Sequence, residues 1–435
     1  MKKKVFIILL ALAAALPAKV TLSQAVAGAW AISRGLDSQR LEEQAASVAE
    51  QTALRRKYFA VHFAGTYRYS SDNVQVKASD FPFDLGPSLP PGTVILAAPS
   101  DAIDLKMALV QPLYSGGLLE GAVKMEAARQ AAEKHLTRLK KIELAGQVKS
   151  SYFNYVLFRS KRDALAFLLS GLELHLKKVE NLYAEELVRR SDLLEARGGA
   201  DEVRLSLQDL EQLIAAEAVL FQSLCGYDPR EVEHQPAPAQ EPFVAAWERF
   251  LSGHPLLLSL EERARLLRLQ RKAAAAAYLP QVGAFAEIHY GRPGQNFFLN
   301  EWTLYVQGGL SISLPVFHWN QRGRDLELAG MAARKLENRR ADFVRESEAH
   351  LRQLYLQLES AGKKLALLDG LAANAAEEVR LKEQLYEEKQ IDHIHLLAAM
   401  CCQERYLSNR GEALAQIDMI RAAIDTLVGR CEEEQ

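Results

Sequence analysis

Long stretches of this sequence contain no proline. The 15 prolines of the 435-residue chain are all absent from 18–81, 113–228 and 316–435. Proline disrupts helix interiors, and these stretches are rich in the good helix formers Ala, Leu, Glu, Lys, Arg and Gln. A helix from Gly117 to Tyr183 would be on the order of 100 Å long. Such a helix implies coiled-coil packing or a helical repeat, and a single long soluble coiled coil stays open as an alternative.

Cysteine is scarce, and charge of one sign is not in excess. The four cysteines, Cys225, Cys401, Cys402 and Cys431, are too few for a disulfide framework in a chain of this length. A Cys225–Cys431 bond stays open, because both residues end predicted helices. The net charge of -2 argues against nucleic acid as a main partner, since phosphate binding needs a basic face. The 49% hydrophobic and 25% charged residues are typical of a folded protein.

No apolar run is long enough to cross a bilayer as a helix, which takes about 20 residues. The N-terminus instead carries three lysines, Lys2 to Lys4, followed by an apolar run from Phe6 to Leu16 and a small residue at Ala18. This order predicts a cleaved secretory signal over 1–18, with a mature chain that starts near Lys19.

The second half of the chain repeats the first. Pro112-Leu113-Tyr114 matches Pro315-Val316-Phe317, Tyr183 matches Tyr386, and Leu224-Cys225-Gly226 matches Leu427-Val428-Gly429, all at an offset of 203 residues. Upstream, Trp30 is paired with Trp247 and Tyr58 with Tyr278, at offsets of 217 and 220. We therefore predict a first repeat over 19–226, a proline-rich linker over 227–246 and a second repeat over 247–435, each with a long helical hairpin. The extra residues of the first repeat, between Asp72 and Ser100, are predicted to form a loop.

Four segments alternate between apolar and polar residues, two in each repeat. They run over Val61–Tyr69, Ile103–Leu109, Val282–Tyr290 and Trp302–Leu314. Alternation with aromatic residues near the ends is typical of transmembrane β-strands with a lipid face and a lumen face. An open sheet edge cannot lie in hydrocarbon, so several chains must close a barrel together. A soluble β-hairpin that caps a coiled coil is the alternative.

In its order of motifs the mature chain resembles the TolC-like outer-membrane efflux family. The motifs are Val20 to Ala25, Pro112 to Gly117, Ala277 to Val282, Leu314 to Phe317, and the hairpin tip Ser191 to Ala196. The resemblance implies a mixed α/β membrane protein, in which four transmembrane β-strands per protomer close a 12-stranded barrel as a homotrimer. It also implies a long α-helical coiled-coil barrel across the periplasm, and partners in a periplasmic adaptor protein and an inner-membrane transporter. The expected location is the outer membrane of a Gram-negative bacterium.

The hairpin tips depart from the family pattern. Where the family has glycine after the tip tyrosines, Tyr183 and Tyr386, this chain has Glu186 and Lys389. The resemblance also implies an acidic ring at the periplasmic entrance, formed by the second tip. Here that tip carries His395 and Ala398, and the first tip carries Asp192 and Glu195.

These residues give the candidates for the entrance or gate: Asp192, Glu195, His395, Tyr183 and Tyr386. Rings of charged side chains can bias ion passage and gate a pore. Asp192 could also simply cap the second helix of its hairpin, and the two roles are compatible.

The sequence contains no catalytic motif, so we predict that the chain is not an enzyme and needs no cofactor. Asp392, His393 and His395 suggest a metal site, but residues two apart on a helix point to different sides, and no metal site is predicted. The predicted function is an outer-membrane exit duct of a tripartite efflux or type I secretion system, which passively conducts substrates across the periplasm and outer membrane. The alternative is a periplasmic helical adaptor or scaffold protein without a pore.

Overall fold

The computed structural model describes residues 20–82, 92–233, 240–317, 319–388, 390–391 and 393–430. The predicted signal (1–18), Lys389, Asp392 and Cys431 lie outside these ranges. The chain forms two compact units, and both draw on both repeats. The helical unit comprises Met1–Leu41, His135–Leu258 and Arg340–Gln435, and the sheet unit comprises Glu42–Lys134 and Ser259–Arg339.

The helices fall into two matching series. Those of the first series have 11, 22, 67 and 36 residues, and those of the second have the same lengths in the same order. Their bounds are α1 Leu22–Ile32, α2 Arg34–Arg55, α3 Leu118–Ala184, α4 Arg190–Cys225, α5 Phe243–Gly253, α6 Pro255–Ala276, α7 Gln321–Glu387 and α8 His393–Val428. Helices α7 and α8 follow α3 and α4 at the same offset as the sequence motifs, and α5 begins inside the predicted linker. Within the described ranges, no helix has both the length and the apolar character that crossing a membrane requires.

The upstream pairing of aromatic residues was wrong. Helices α5 and α6 follow α1 and α2 at one common offset, by which Trp30 corresponds to Leu251 rather than to Trp247. Tyr58 likewise corresponds to Leu279: its N–H donates to Arg55 O, and the Leu279 N–H donates to Ala276 O, both at 3.0 Å. Shared aromatic identity was misleading here, because the two tryptophans lie one helical turn apart in equivalent helices.

Equivalent positions of the two repeats form two separate cores in the helical unit. In the first, Ala25 of α1 packs with Val148 of α3 and Phe221 of α4, all fully buried. The second uses the corresponding residues of α5, α7 and α8, which are Ala246, Leu351 and Ile424. Each long hairpin is therefore held by the short helix that begins its own repeat.

The sheet unit contains the four predicted strands in one antiparallel sheet. They are β1 Ala60–Tyr69, β4 Asp101–Tyr114, β5 Gln281–Arg292 and β6 Thr303–Ser313, in the order β1-β4-β5-β6. The predicted loop between β1 and β4 also holds a two-stranded ribbon, formed by β2 Gln75–Lys77 and β3 Val94–Ala97. The two repeats meet where β4 pairs with β5.

Candidate functional site

One face of the four-stranded sheet is apolar and exposed. The register places Phe63, Met107, Ile288 and Val306 in one row across the four strands. Phe63 is 71% exposed and Val306 69% exposed. A folded protein rarely leaves a contiguous apolar patch of this size in water. The further apolar, exposed members of this face are Val61, Tyr67, Tyr69, Leu105, Leu109, Tyr290, Leu304, Leu310 and Ile312.

The opposite face carries a charged network that the sequence did not predict. His289 Nδ1 lies 3.1 Å from both carboxylate oxygens of Asp104, and its Nε2 lies 3.2 Å from Glu287 Oε2. Lys106 Nζ donates to Glu287 Oε1 at 3.1 Å, and the Tyr305 ring stacks on His289 at 4.8 Å between centroids. Because Asp104 and Lys106 belong to β4 and the others to β5 and β6, the network fixes the register between the two repeats.

The sheet has two edges, β1 and β6, each paired with a single neighbouring strand. An edge strand presents a row of N–H and C=O groups to whatever lies beside it. In water such groups bind solvent, but in hydrocarbon each unpaired group costs several kcal/mol. An apolar face and open edges in one sheet are therefore incompatible with a lone protomer in a bilayer.

The first hairpin tip closes through a left-handed residue that is not glycine. Glu186 has φ +60°. Its N–H donates to Tyr183 O at 3.0 Å, and the Leu187 N–H donates to Leu182 O at 2.9 Å, which is the Schellman pattern that ends many helices. At the corresponding position of the second tip, the Gln390 N–H donates to Leu385 O at 2.8 Å.

Asp192 caps α4 from the third position of the helix rather than from the residue before it. The Arg189 N–H donates to Asp192 Oδ2 at 3.1 Å, and Ser191 Oγ donates to Asp192 Oδ1 at 3.0 Å. Its charge also complements the positive end of the helix dipole. Asp192 is exposed, so the cap leaves the carboxylate accessible to solvent.

The other gate candidates are exposed and lie at both tips. Tyr183 and Tyr386 are the penultimate residues of α3 and α7, and are 39% and 41% exposed. Glu195 lies in the second turn of α4, and His395 in the first turn of α8, the position that corresponds to Asp192. Across the described ranges no cluster of three metal-binding side chains is found.

Comparison with known proteins finds a family that resembles the second half of the chain. Residues 247–430 match the model of the outer membrane efflux protein family. The match lies within the predicted second repeat and covers less than half of the chain. Among curated proteins, none matches the chain.

Solved structures share the fold over 94% of this chain. The Campylobacter jejuni CmeC outer membrane channel is 12% identical, with 85% of its own chain covered and a TM-score of 0.73. The outer membrane protein VceC from Vibrio cholerae is 15% identical, with 94% covered and a TM-score of 0.69. The open state of the Neisseria gonorrhoeae MtrE outer membrane channel is 14% identical, with 88% covered and a TM-score of 0.69.

Proposed function

We propose that the chain is an efflux channel protein of the outer membrane, which extends into the periplasm and acts as a homotrimeric exit duct through which substrates pass passively. Each protomer contributes its four strands to a 12-stranded barrel in outer-membrane lipid, and its long hairpins to a helical tunnel in the periplasm. A periplasmic adaptor and an inner-membrane transporter supply cargo and energy, so the duct needs no catalytic residue and no cofactor.

The observation that carries this proposal is the sheet with one exposed apolar face and two open edges. Lipid covers the apolar face, and the β1 edge of the next protomer pairs with the β6 edge. This arrangement satisfies every edge N–H and C=O, as a bilayer requires. A soluble scaffold would expose the same apolar face to water, where it would promote aggregation.

The hairpin tips supply the periplasmic entrance in this proposal. Threefold symmetry would bring three copies of Asp192, Glu195 and His395 around one axis, with Tyr183 and Tyr386 beside them. Asp192 and Glu195 would favour cations at the entrance. His395 would contribute an imidazole ring to the same constriction. If His395→Ala leaves the single-channel conductance unchanged, this place of His395 at the entrance is wrong.

Two adjacent residues of β6 test the membrane assignment. Val306 lies on the apolar face and Gln307 on the polar face, opposite Glu287. A lysine on the lipid side of a barrel costs about 2–4 kcal/mol near the bilayer midplane. We expect Val306→Lys to reduce folding into lipid vesicles strongly, and Gln307→Lys to insert as the wild type does.

Insertion is measured as protection from protease and as conductance in a planar bilayer. Equal insertion of the two variants would contradict a lipid-facing position for Val306. A wild-type protein that stays in the periplasmic extract, without conductance, would favour the scaffold instead.

A further inference from the structure

The turn that joins β6 to α7 contains two left-handed residues that are not glycine. Trp319 has φ +42° and Asn320 has φ +55°. The corresponding turn of the first repeat, between β4 and α3, uses Gly116 at φ +61° and Gly117 at φ +87°. Glycine adopts this conformation without strain, whereas a residue with a bulky side chain adopts it only against a steric penalty.

The two turns also differ in their surroundings. A Cβ added to Gly116 would lie 2.8 Å from Leu279 Cβ and 3.0 Å from Ala276 O, so the first turn has no room for a side chain. Trp319, in contrast, is 83% exposed, and its ring meets that of Phe317 edge-on, at 5.0 Å between centroids. Among the residues that the structure describes, the ring contact given for Trp319 is the one with Phe317, itself exposed, and this contact does not explain a strained turn that displays an indole.

Two further features connect this turn to the apolar face of the sheet. It follows directly on the exposed apolar residues Ile312, Leu314 and Val316. Other exposed aromatic residues lie at the same end of the sheet, namely Tyr58 and Phe59 before β1 and Tyr114 in β4. The strand register defines this end, because Ala60 pairs with Val110 and Val110 with Phe285.

We propose that Trp319, with Phe317, is a membrane anchor in which the indole lies at the boundary between lipid headgroups and acyl chains. This inference rests on the proposed function, because it requires the sheet to be in a bilayer. Indole suits the boundary since its ring is apolar and its N–H needs a hydrogen-bond acceptor. The second repeat therefore carries an anchor that the packed first turn cannot hold.

The test uses tryptophan fluorescence of the full-length protein in vesicles of phosphatidylcholine, with or without bromine on the acyl chains. Bromine quenches only those tryptophans that contact lipid. Trp319→Phe removes a quenchable tryptophan, so its fractional quenching should fall below that of the wild type. Trp30→Phe is the matched control: the Trp30 indole N–H donates to Lys141 O in the helical unit, at 3.0 Å. Its loss removes an unquenched tryptophan, so fractional quenching should rise.

Bromine near the headgroup end of the acyl chain should quench the Trp319 component more than bromine near the methyl end. If quenching in Trp319→Phe equals or exceeds that of the wild type, while the protein still conducts, the anchor is overturned and the duct stands. A neighbouring protomer that covered Trp319 would give that result. If the wild type neither inserts nor conducts, the proposed function itself fails.

Discussion

The carboxylate of Asp192 can act in two ways that substitutions separate. It accepts the Arg189 N–H at 3.1 Å, and it also places a negative charge at an exposed hairpin tip. Asp192→Asn keeps an oxygen acceptor and removes the charge, whereas Asp192→Ala removes both. Losing a cap of this kind costs about 1 kcal/mol.

We therefore expect faster hydrogen exchange in the first turn of α4 for Asp192→Ala only. If the charge also controls the entrance, both variants should lose part of the cation preference measured in planar bilayers. If the cation preference changes in Asp192→Ala alone, the charge of Asp192 does not control the entrance and its role is to cap α4.

His254 couples the stability of the helical unit to pH. It lies buried after α5, against Phe250 and Phe343, and its Nδ1 accepts the Leu256 N–H at 3.2 Å. Burial lowers the pKa of His254 to about 4, from an ordinary value near 6.5. The folded state thus binds this proton more weakly than the unfolded state. The free energy of unfolding is therefore at its full value above pH ~6.5. It decreases as pH falls towards ~4, by about 3 kcal/mol at most.

The check is the pH dependence of urea unfolding of the helices. His254→Asn keeps an acceptor for Leu256 but cannot titrate, so its slope between pH ~6.5 and ~4 should be smaller than that of the wild type. The exposed His350 provides the control variant His350→Asn, which should keep the wild-type slope. Burial raises the pKa of Asp425, so this carboxyl changes the stability with pH in the sense opposite to His254. The Asp425 effect is the same in the wild type and in His254→Asn, and it cancels when their slopes are compared. Equal slopes for wild type and His254→Asn would contradict the assignment.

At the scale of one helix, the left-handed Glu186 ends α3 at a cost that glycine would avoid. Glu186→Gly should relieve this strain, and we expect the tip to gain roughly 0.5–1 kcal/mol. Hydrogen exchange of the amides of 182–187 should slow accordingly. The control is Glu185→Gly, one residue earlier, where φ is not positive and glycine brings only its entropic cost. Slower exchange in the control than in Glu186→Gly would contradict the strain.

The helices were largely predictable from the sequence, and the reason is local. Proline-free stretches and the constant offset between matching motifs gave the bounds of α3 to within one position, because both signals act within a single segment. The alternation of β6 predicted its exposed apolar face for the same reason. The division into repeats over 19–226 and 247–435 stays a prediction.

The pairing of the strands was harder to predict from the sequence than the helices were. Alternation tells which side chains share a face, but it does not tell which strand lies alongside. The contacts of His289 with Asp104 join residues 185 positions apart, so the network was visible only as separate polar positions. Trp319 was missed for another reason: tryptophan is not a turn residue, and only its correspondence to Gly116 could have suggested a left-handed turn.

At the scale of the whole molecule, the two free edges predict pairing between protomers, and the proposed 12-stranded barrel predicts that this assembly stops at three protomers. Strand β6 of one protomer would lie antiparallel to β1 of the next protomer, as neighbouring strands do throughout the sheet. In the correct register, one pair of opposite residues on their polar faces would be close enough to form a disulfide when both are cysteine. We combine Gln307→Cys with a cysteine at His62, Ala64 or Thr66 of the polar face of β1. One pairing should give cross-linked dimers and trimers on a denaturing gel, and no larger species, because a closed ring leaves no free edge.

The control combines Gly283→Cys with Ser311→Cys, which are neighbours within one protomer. This variant should migrate as a monomer, as should the wild type with its native cysteines. A ladder beyond three would show open edge-to-edge association instead of a closed barrel, and monomers in every combination would contradict pairing of β6 with β1.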